Sequence, residues 1–399
     1  MSPRHPTDRS EDISTRPILT RLSALGGAVL LATATGACQV LQNAEAGLEV
    51  SDAVDELLSW EGLTFVATVD ATPEEVHDYL VRSGAEEPTM AQARLLADLE
   101  LTVAVGDPEQ ETRLTDLSEG DPLDGGMTVN FGGRDVAGVK QLEGRTYVRV
   151  GAQAVIEDVY GSGEAAVARA ERFERDAADL PDELSGAASA LRGDWVEIEP
   201  FEHDAYADAL TEHADVPADA AHNTADALVD AGQLLRPESL WDAVGRFEST
   251  LRSGASVRPA GEERGAELVG VRLPAGDAHH AVEPLLGLLA EQGERFGLPP
   301  LVAEPADPDA TVSAELAIRN GVLTNATFDL GQFAGPGGGS LPLDLFLAGG
   351  SALNLNPPEG AAGPLTAEEL SVALLFLADL QERREQDEDR ADVPGPMQP

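Results

Sequence analysis

The chain's one thiol, Cys38, closes the apolar run Leu30-Leu31-Ala32-Thr33-Ala34-Thr35-Gly36-Ala37, and that placement reads as a lipidation site. Other residues with chemical potential are less pointedly placed. His203, His213 and His222 fall in an acidic segment and could ligate a metal, but spacings of ten and nine residues match no ligand motif. They read as exposed histidines on acidic helices. His279-His280 precedes a helix and reads as a capping or surface pair. Asp121 with Asp124, or Asp307 with Asp309, could serve as an acid/base pair or a weak calcium site, yet 72 acidic residues make such pairs commonplace. There is no Gly-x-Ser-x-Gly elbow, P-loop, His-Glu-x-x-His or EF-hand loop. The glycines of 335–339 are followed by neither a lysine nor a helix start, so they read as a hairpin loop and not as a phosphate cradle. No enzyme, metal or cofactor is expected.

The segment before Cys38 has the build of an export signal. Arg4, Arg9, Arg16 and Arg21 precede an apolar stretch from Leu22 to Ala37, which is shorter than the roughly 20 apolar residues of a membrane span. Small residues at 36 and 37 fit a signal-peptidase site. The whole resembles a bacterial lipoprotein signal, with Thr35 where such motifs usually carry Leu. The cysteine would then be the acylated N-terminus of the mature chain, on the outer face of the membrane. With 26 basic against 72 acidic residues the net charge is −46, which repels nucleic acid and anionic headgroups. Only Lys140 is a lysine, a bias that reads as genomic base composition. No cysteine is left for disulfides, so stability must come from a packed core.

The elements that would form this core follow from periodicity. Leu48, Val50, Val54, Leu57 and Leu58 suggest a helix leading into a strand at Leu63–Val69. Thr72-Pro73-Glu74-Glu75 is a capping box that opens a helical excursion to about residue 96. Strands are expected at Leu99–Val105, Thr112–Leu117, Met127–Phe131, Asp135–Leu142, Arg145–Val150 and Trp195–Ile198. Residues 155–192 and 203–232 read as solvated acidic helices. Leu240, Val244, Phe247 and Leu251 mark one amphipathic helix, and Val282, Leu285, Leu286, Leu288 and Leu289 another over about His279–Phe296. Ala255–Arg258 and Ala266–Leu273 form a hairpin between them. Thr311–Arg319 alternates cleanly, with Val312, Ala314, Leu316 and Ile318 on one face, and Asn320-Gly321 supplies a type I′ turn into Val322–Leu330. Strands at Leu341–Leu347 and Ala352–Leu355 complete the sheet. A helix is expected over 366–385, with a disordered tail from 387.

Several of these segments, taken in order, resemble the mycobacterial lipoprotein family of LprG, LprA, LprF and LppX. They are Val129–Val148 with its Gly132-Gly133, Trp195–Ile198, Leu235–Leu240 with Pro237, Ile318–Leu330, and Leu355-Asn356-Pro357-Pro358. The resemblance implies an α+β fold: a curved antiparallel half-barrel covered by helices on its concave face. An apolar cavity between sheet and helices would hold the acyl chains of a lipid or glycolipid. The organisation is then a signal peptide at 1–37, a tether at 38–47, the half-barrel domain at 48–360 with helical insertions at 71–96, 151–192 and 203–232, a C-terminal helix at 361–386 and the tail at 387–399. Met127, Val129, Phe131, Val312, Leu316 and Ile318 on strands, and Leu240, Val244, Phe247, Leu285 and Leu289 on covering helices, are the expected cavity lining. The membrane, through Cys38, and a lipid or acylated glycolipid are the expected partners, with an envelope exporter by analogy. The alternative is an envelope scaffold whose core is filled.

Overall fold

The computed structural model describes residues 37–83, 87–107, 111–118, 121–159, 163–214, 216–239, 255–280, 305, 307–333, 339–350, 355–357 and 364–391. Its centre is one antiparallel sheet of eleven strands: β1 (Gly62–Val69), β2 (Leu99–Gly106), β3 (Asp124–Phe131), β4 (Arg134–Leu142), β5 (Arg145–Val150), β6 (Val196–Ile198), β7 (Ser256–Glu263), β8 (Ala266–Pro274), β9 (Thr311–Arg319), β10 (Val322–Asp329) and β11 (Pro342–Gly349). Their order is β6-β5-β4-β3-β2-β1-β11-β10-β9-β8-β7, so the sheet stays open, with β6 and β7 as its edges. Two consecutive meanders, one from each half of the chain, meet where β1 pairs β11.

Tight turns set the registers. Asn320-Gly321 adopts φ values of +53° and +77°, the positive pair that a type I′ hairpin requires, and Glu143-Gly144 and Arg264-Gly265 do the same. Strand β9 alternates so that Val312 and Ile318 are buried while Ser313, Glu315 and Arg319 are exposed.

The helices gather on one face of the sheet: α1 (Ala37–Leu57), α2 (Pro73–Ser83), α3 (Met90–Ala97), the turn α4 (Ala152–Ala154), α5 (Glu164–Ala177), α6 (Ser185–Leu191), α7 (His203–His213), α8 (Ala218–Leu234) and α9 (Ala367–Ala391). Local chemistry fixes their starts. The Glu75 carboxylate accepts from Thr72 N–H at 2.8 Å while Thr72 Oγ1 accepts from Glu75 N–H at 3.3 Å, and Thr89 with Gln92 repeats this box at α3.

Three apolar clusters result. Leu191, Tyr206, Leu235, Leu370, Leu374 and Leu377, from the α6–α9 side, pack on Ala67, Leu101, Val103, Met127, Val139 and Val148. Val76, Tyr79, Leu80 and Leu96 of α2 and α3 pack on Val69, Leu343 and Val312. Ala46, Ala53 and Leu57 of α1 pack on Val269, Ile318 and Leu323. On the opposite face Trp195 and Leu355 cover Ala104, Leu142 and Tyr147.

Three sequence expectations give way. The strand expected at Thr112–Leu117 is a single 3-10 turn, Leu114–Asp116. Leu114 and Leu117 lie three apart, a helical spacing, and both enter a small cluster with Leu123; the Asp107 carboxylate, accepting from the N–H groups of Glu111 and Thr112, bends the chain ahead of them. The tether expected at 38–47 belongs to α1, whose Ala46 is already packed against the sheet. Helix α9 runs to Ala391, past the point where a disordered tail was expected. The strand expected at Ala352–Leu355 lies outside the described residues except for Leu355, which is in no strand.

Candidate functional site

Strand pairing lines up side chains across the helix-covered face, because directly opposed residues of an antiparallel pair point to the same side. One such rung crosses ten strands: Val150, Ala137, Val129, Leu101, Ala67, Leu345, Ala326, Leu316, Val269 and Pro259. Every member is apolar. The rung next to it, displaced by one residue, faces the other way and reads Asp135, Asn130, Glu100, Thr68, Asp344, Thr327, Glu315, Gly270 and Arg258. It is hydrogen-bonded internally: Asn130 Nδ2 donates to Glu100 Oε1 at 2.9 Å and Thr327 Oγ1 donates to Asp344 Oδ1.

Burial along the apolar rung is uneven. Leu101 and Ala67 on one side and Val269 on the other are buried, while Leu345, Ala326 and Leu316 between them are half-buried, as are Phe65 and Leu347 one step along β1 and β11. Leu345 touches both the α6–α9 cluster and the α2–α3 cluster, and Leu316 and Leu347 touch the α1 cluster. The three clusters thus border a central apolar strip that the described helices do not fully cover.

The expected lining residues divide around this strip. Met127 is buried in the α6–α9 cluster with Val129 packed against it, and Phe131 is half-buried at the end of β3. Val312 belongs to the α2–α3 cluster, whereas Ile318 and Leu316 belong to the α1 cluster. Strands β3 and β9 are five strand spacings apart, roughly 24 Å. The structure therefore places these residues on one face but not around one point. Leu240, Val244, Phe247, Leu285 and Leu289 lie outside the described residues. Cys38 falls in the first turn of α1. Phe65, Leu345 and Ala326 were not expected; the alternation of Leu343, Leu345 and Leu347 was the available signal, and it lacked the β1–β11 register.

Two clefts elsewhere touch none of the rung. One, of about 530 Å³, is lined by Glu171, Glu174, Arg175, Ala178 and Arg192. The other, of about 520 Å³, lies at the ends of β3–β6 between Asp124, Arg145, Glu197 and Arg236. Burial pushes the Asp124 carboxyl above the usual carboxylate range, although its Oδ1 accepts from Glu143 N–H at 2.8 Å. On the polar face Lys140 is 5% exposed, with Nζ 4.3 Å from the Trp195 ring centroid, and burial holds its ammonium below the ordinary lysine range. No helix among the described residues is long and apolar enough to cross a membrane.

No protein-family model and no curated protein matches the chain. Among solved structures it is similar to the Mycobacterium tuberculosis lipoprotein LppX, with 10% identity over 77% of this chain and 94% of that one, at a TM-score of 0.29. It is similar also to LprF from Mycobacterium bovis, with 11% identity over 80% and 99%, at a TM-score of 0.31. Both belong to the group that the sequence resembles.

Proposed function

We propose that this chain is a lipoprotein of the cell envelope, anchored through Cys38 on the extracytoplasmic face of the membrane, that holds the acyl chains of a lipid or glycolipid along the central apolar strip. The observation that carries this reading is the apolar rung whose middle members, Leu345, Ala326 and Leu316, keep accessible surface between three packed clusters. Binding works by removing methylenes from water. At about 0.8 kcal/mol per CH₂, a 16-carbon chain gains on the order of 10 kcal/mol before ordering costs, enough without a catalytic group.

A scaffold with a filled core is the second reading. It is favoured by the packing of Met127, Leu101 and Val103 under the helices. Native mass spectrometry of the signal-less Cys38→Ala protein, purified from its own host and then solvent-extracted, separates the two. A releasable mass with acyl fragments is the expected result. A bare mass with no uptake of offered lipids would establish the scaffold.

A further inference from the structure

We propose that the α7–α8 hairpin carries a zinc-type metal site formed by His203, Asp204 and Asp226. The two helices run side by side, and each gives the other one histidine contact: His203 of α7 faces Asp226 of α8, and His222 of α8 faces Asp208 of α7. One donor atom each from His203, Asp204 and Asp226 lies within 4.8 Å of the other two.

The separations are informative. His203 Nε2 is 3.4 Å from Asp226 Oδ1 and 3.6 Å from Asp204 Oδ1, longer than good hydrogen bonds. They suit two edges of a coordination polyhedron, the third pair of donor atoms lying within 4.8 Å. Zinc bonds of 2.0–2.1 Å in a tetrahedron put neighbouring ligand atoms about 3.3–3.4 Å apart. Octahedral magnesium would need about 3.0 Å, and calcium, whose longer bonds allow this spacing, prefers oxygen donors over an imidazole.

A second cross-helix pair lies beside the three. His222 Nδ1 donates to the Ala218 carbonyl at 3.0 Å, and this bond, with the carboxylates of Asp208, Asp204 and Asp226 around it, favours the ring's charged form. Its Nε2 faces the Asp208 carboxylate of α7 at 3.4 Å, so His222, one helical turn before Asp226 on α8, pairs with Asp208 and is not a fourth ligand. Three protein ligands leave a fourth position for water, and the metal would fasten α7 to α8. A chain of net charge −46 concentrates divalent cations near it.

The test uses the full chain, purified in detergent and stripped with chelator. Titration with Zn²⁺ is expected to show one site per chain, and Co²⁺ is expected to give the intense visible d–d bands of a tetrahedral centre. H203A and D226N should each weaken the site at least tenfold with helix content unchanged, whereas H222A, which removes no ligand, and H77A, on α2, should not weaken it. The proposal is overturned by zinc binding that survives the H203A/D226N pair, by a weak octahedral Co²⁺ spectrum, or by no binding in the unaltered chain.

Discussion

The two faces of this sheet, read one residue apart, differ almost completely. The helix-side rung from Val150 to Pro259 is apolar at each of the ten strands it crosses, while the rung beside it from Asp135 to Arg258 carries charges, hydroxyls and an amide. Because strand side chains alternate with period two, a slip of one residue would exchange the faces, so the contrast itself pins the register. The polar face is nonetheless buried in places: Thr64, Thr102, Thr128 and Lys140 are all below a tenth exposed. Burial is thus not what distinguishes the faces. One face is hydrocarbon along the whole rung, while the other mixes bonded threonines, Asn130 and Lys140 with a smaller apolar cluster around Leu142 and Tyr147.

The sharpest break of this comparison pairs neighbours on one strand. Leu101→Ala removes buried hydrocarbon from the apolar rung and should cost about 2–5 kcal/mol in urea unfolding, whereas Thr102→Ala, its neighbour on the other face, should cost about 1 kcal/mol. Equal costs would abolish the asymmetry. Next in size is Gly138, on the polar face, where an added Cβ would stand 2.6 Å from the Trp195 ring and 3.0 Å from the Met127 carbonyl. Gly138→Ala should cost about 1–3 kcal/mol, with a change in tryptophan emission as the ring is displaced.

Within the apolar rung, Leu316→Ala at the half-buried strip should cost only about 1 kcal/mol yet reduce uptake of a fluorescent fatty-acid probe. Unchanged uptake would count against the strip as the binding surface. The smallest effect is expected at Lys140. Burial lowers its folded-state pKa below 10.5, so the unfolded chain binds the extra proton and the lysine's contribution grows more favourable as pH rises through that window. Lys140→Met should leave neutral-pH stability within about 1 kcal/mol, and the stability difference between the two proteins should shift in the lysine's favour between the depressed value and 10.5. A difference that stays flat across that range would remove burial as the cause.

Legibility in the sequence followed locality. The β9–β10 hairpin could be read from the alternation of Val312 to Ile318 and the Asn-Gly turn, both contained within twenty residues. Thr112–Leu117 was misread because apolar residues three apart in a short segment satisfy a turn as well as a strand. The strip was only half visible. Leu316 lies opposite Ala326 in the readable β9–β10 hairpin and Leu345 follows through β10–β11, but Ala67 and Phe65 join the strip only through the β1–β11 pairing, which no local pattern encodes. The partner of His203 is hidden the same way, since it takes an antiparallel helix pair to bring Asp226, 23 positions on, beside it.

That central pairing has a consequence for how the protein is made. Seven registered pairs join β1 to β11, and Thr64 Oγ1 bonds the Gly350 carbonyl across 286 residues. Each meander can zip up on neighbours close in sequence, but the seam between them must wait for the last strand to emerge. Closing so long a loop is slow, and until it closes each half presents an unpaired edge and a greasy flank. A chain that ends before residue 342 would therefore yield two separate sheets, and the middle of the finished molecule is the part that forms last.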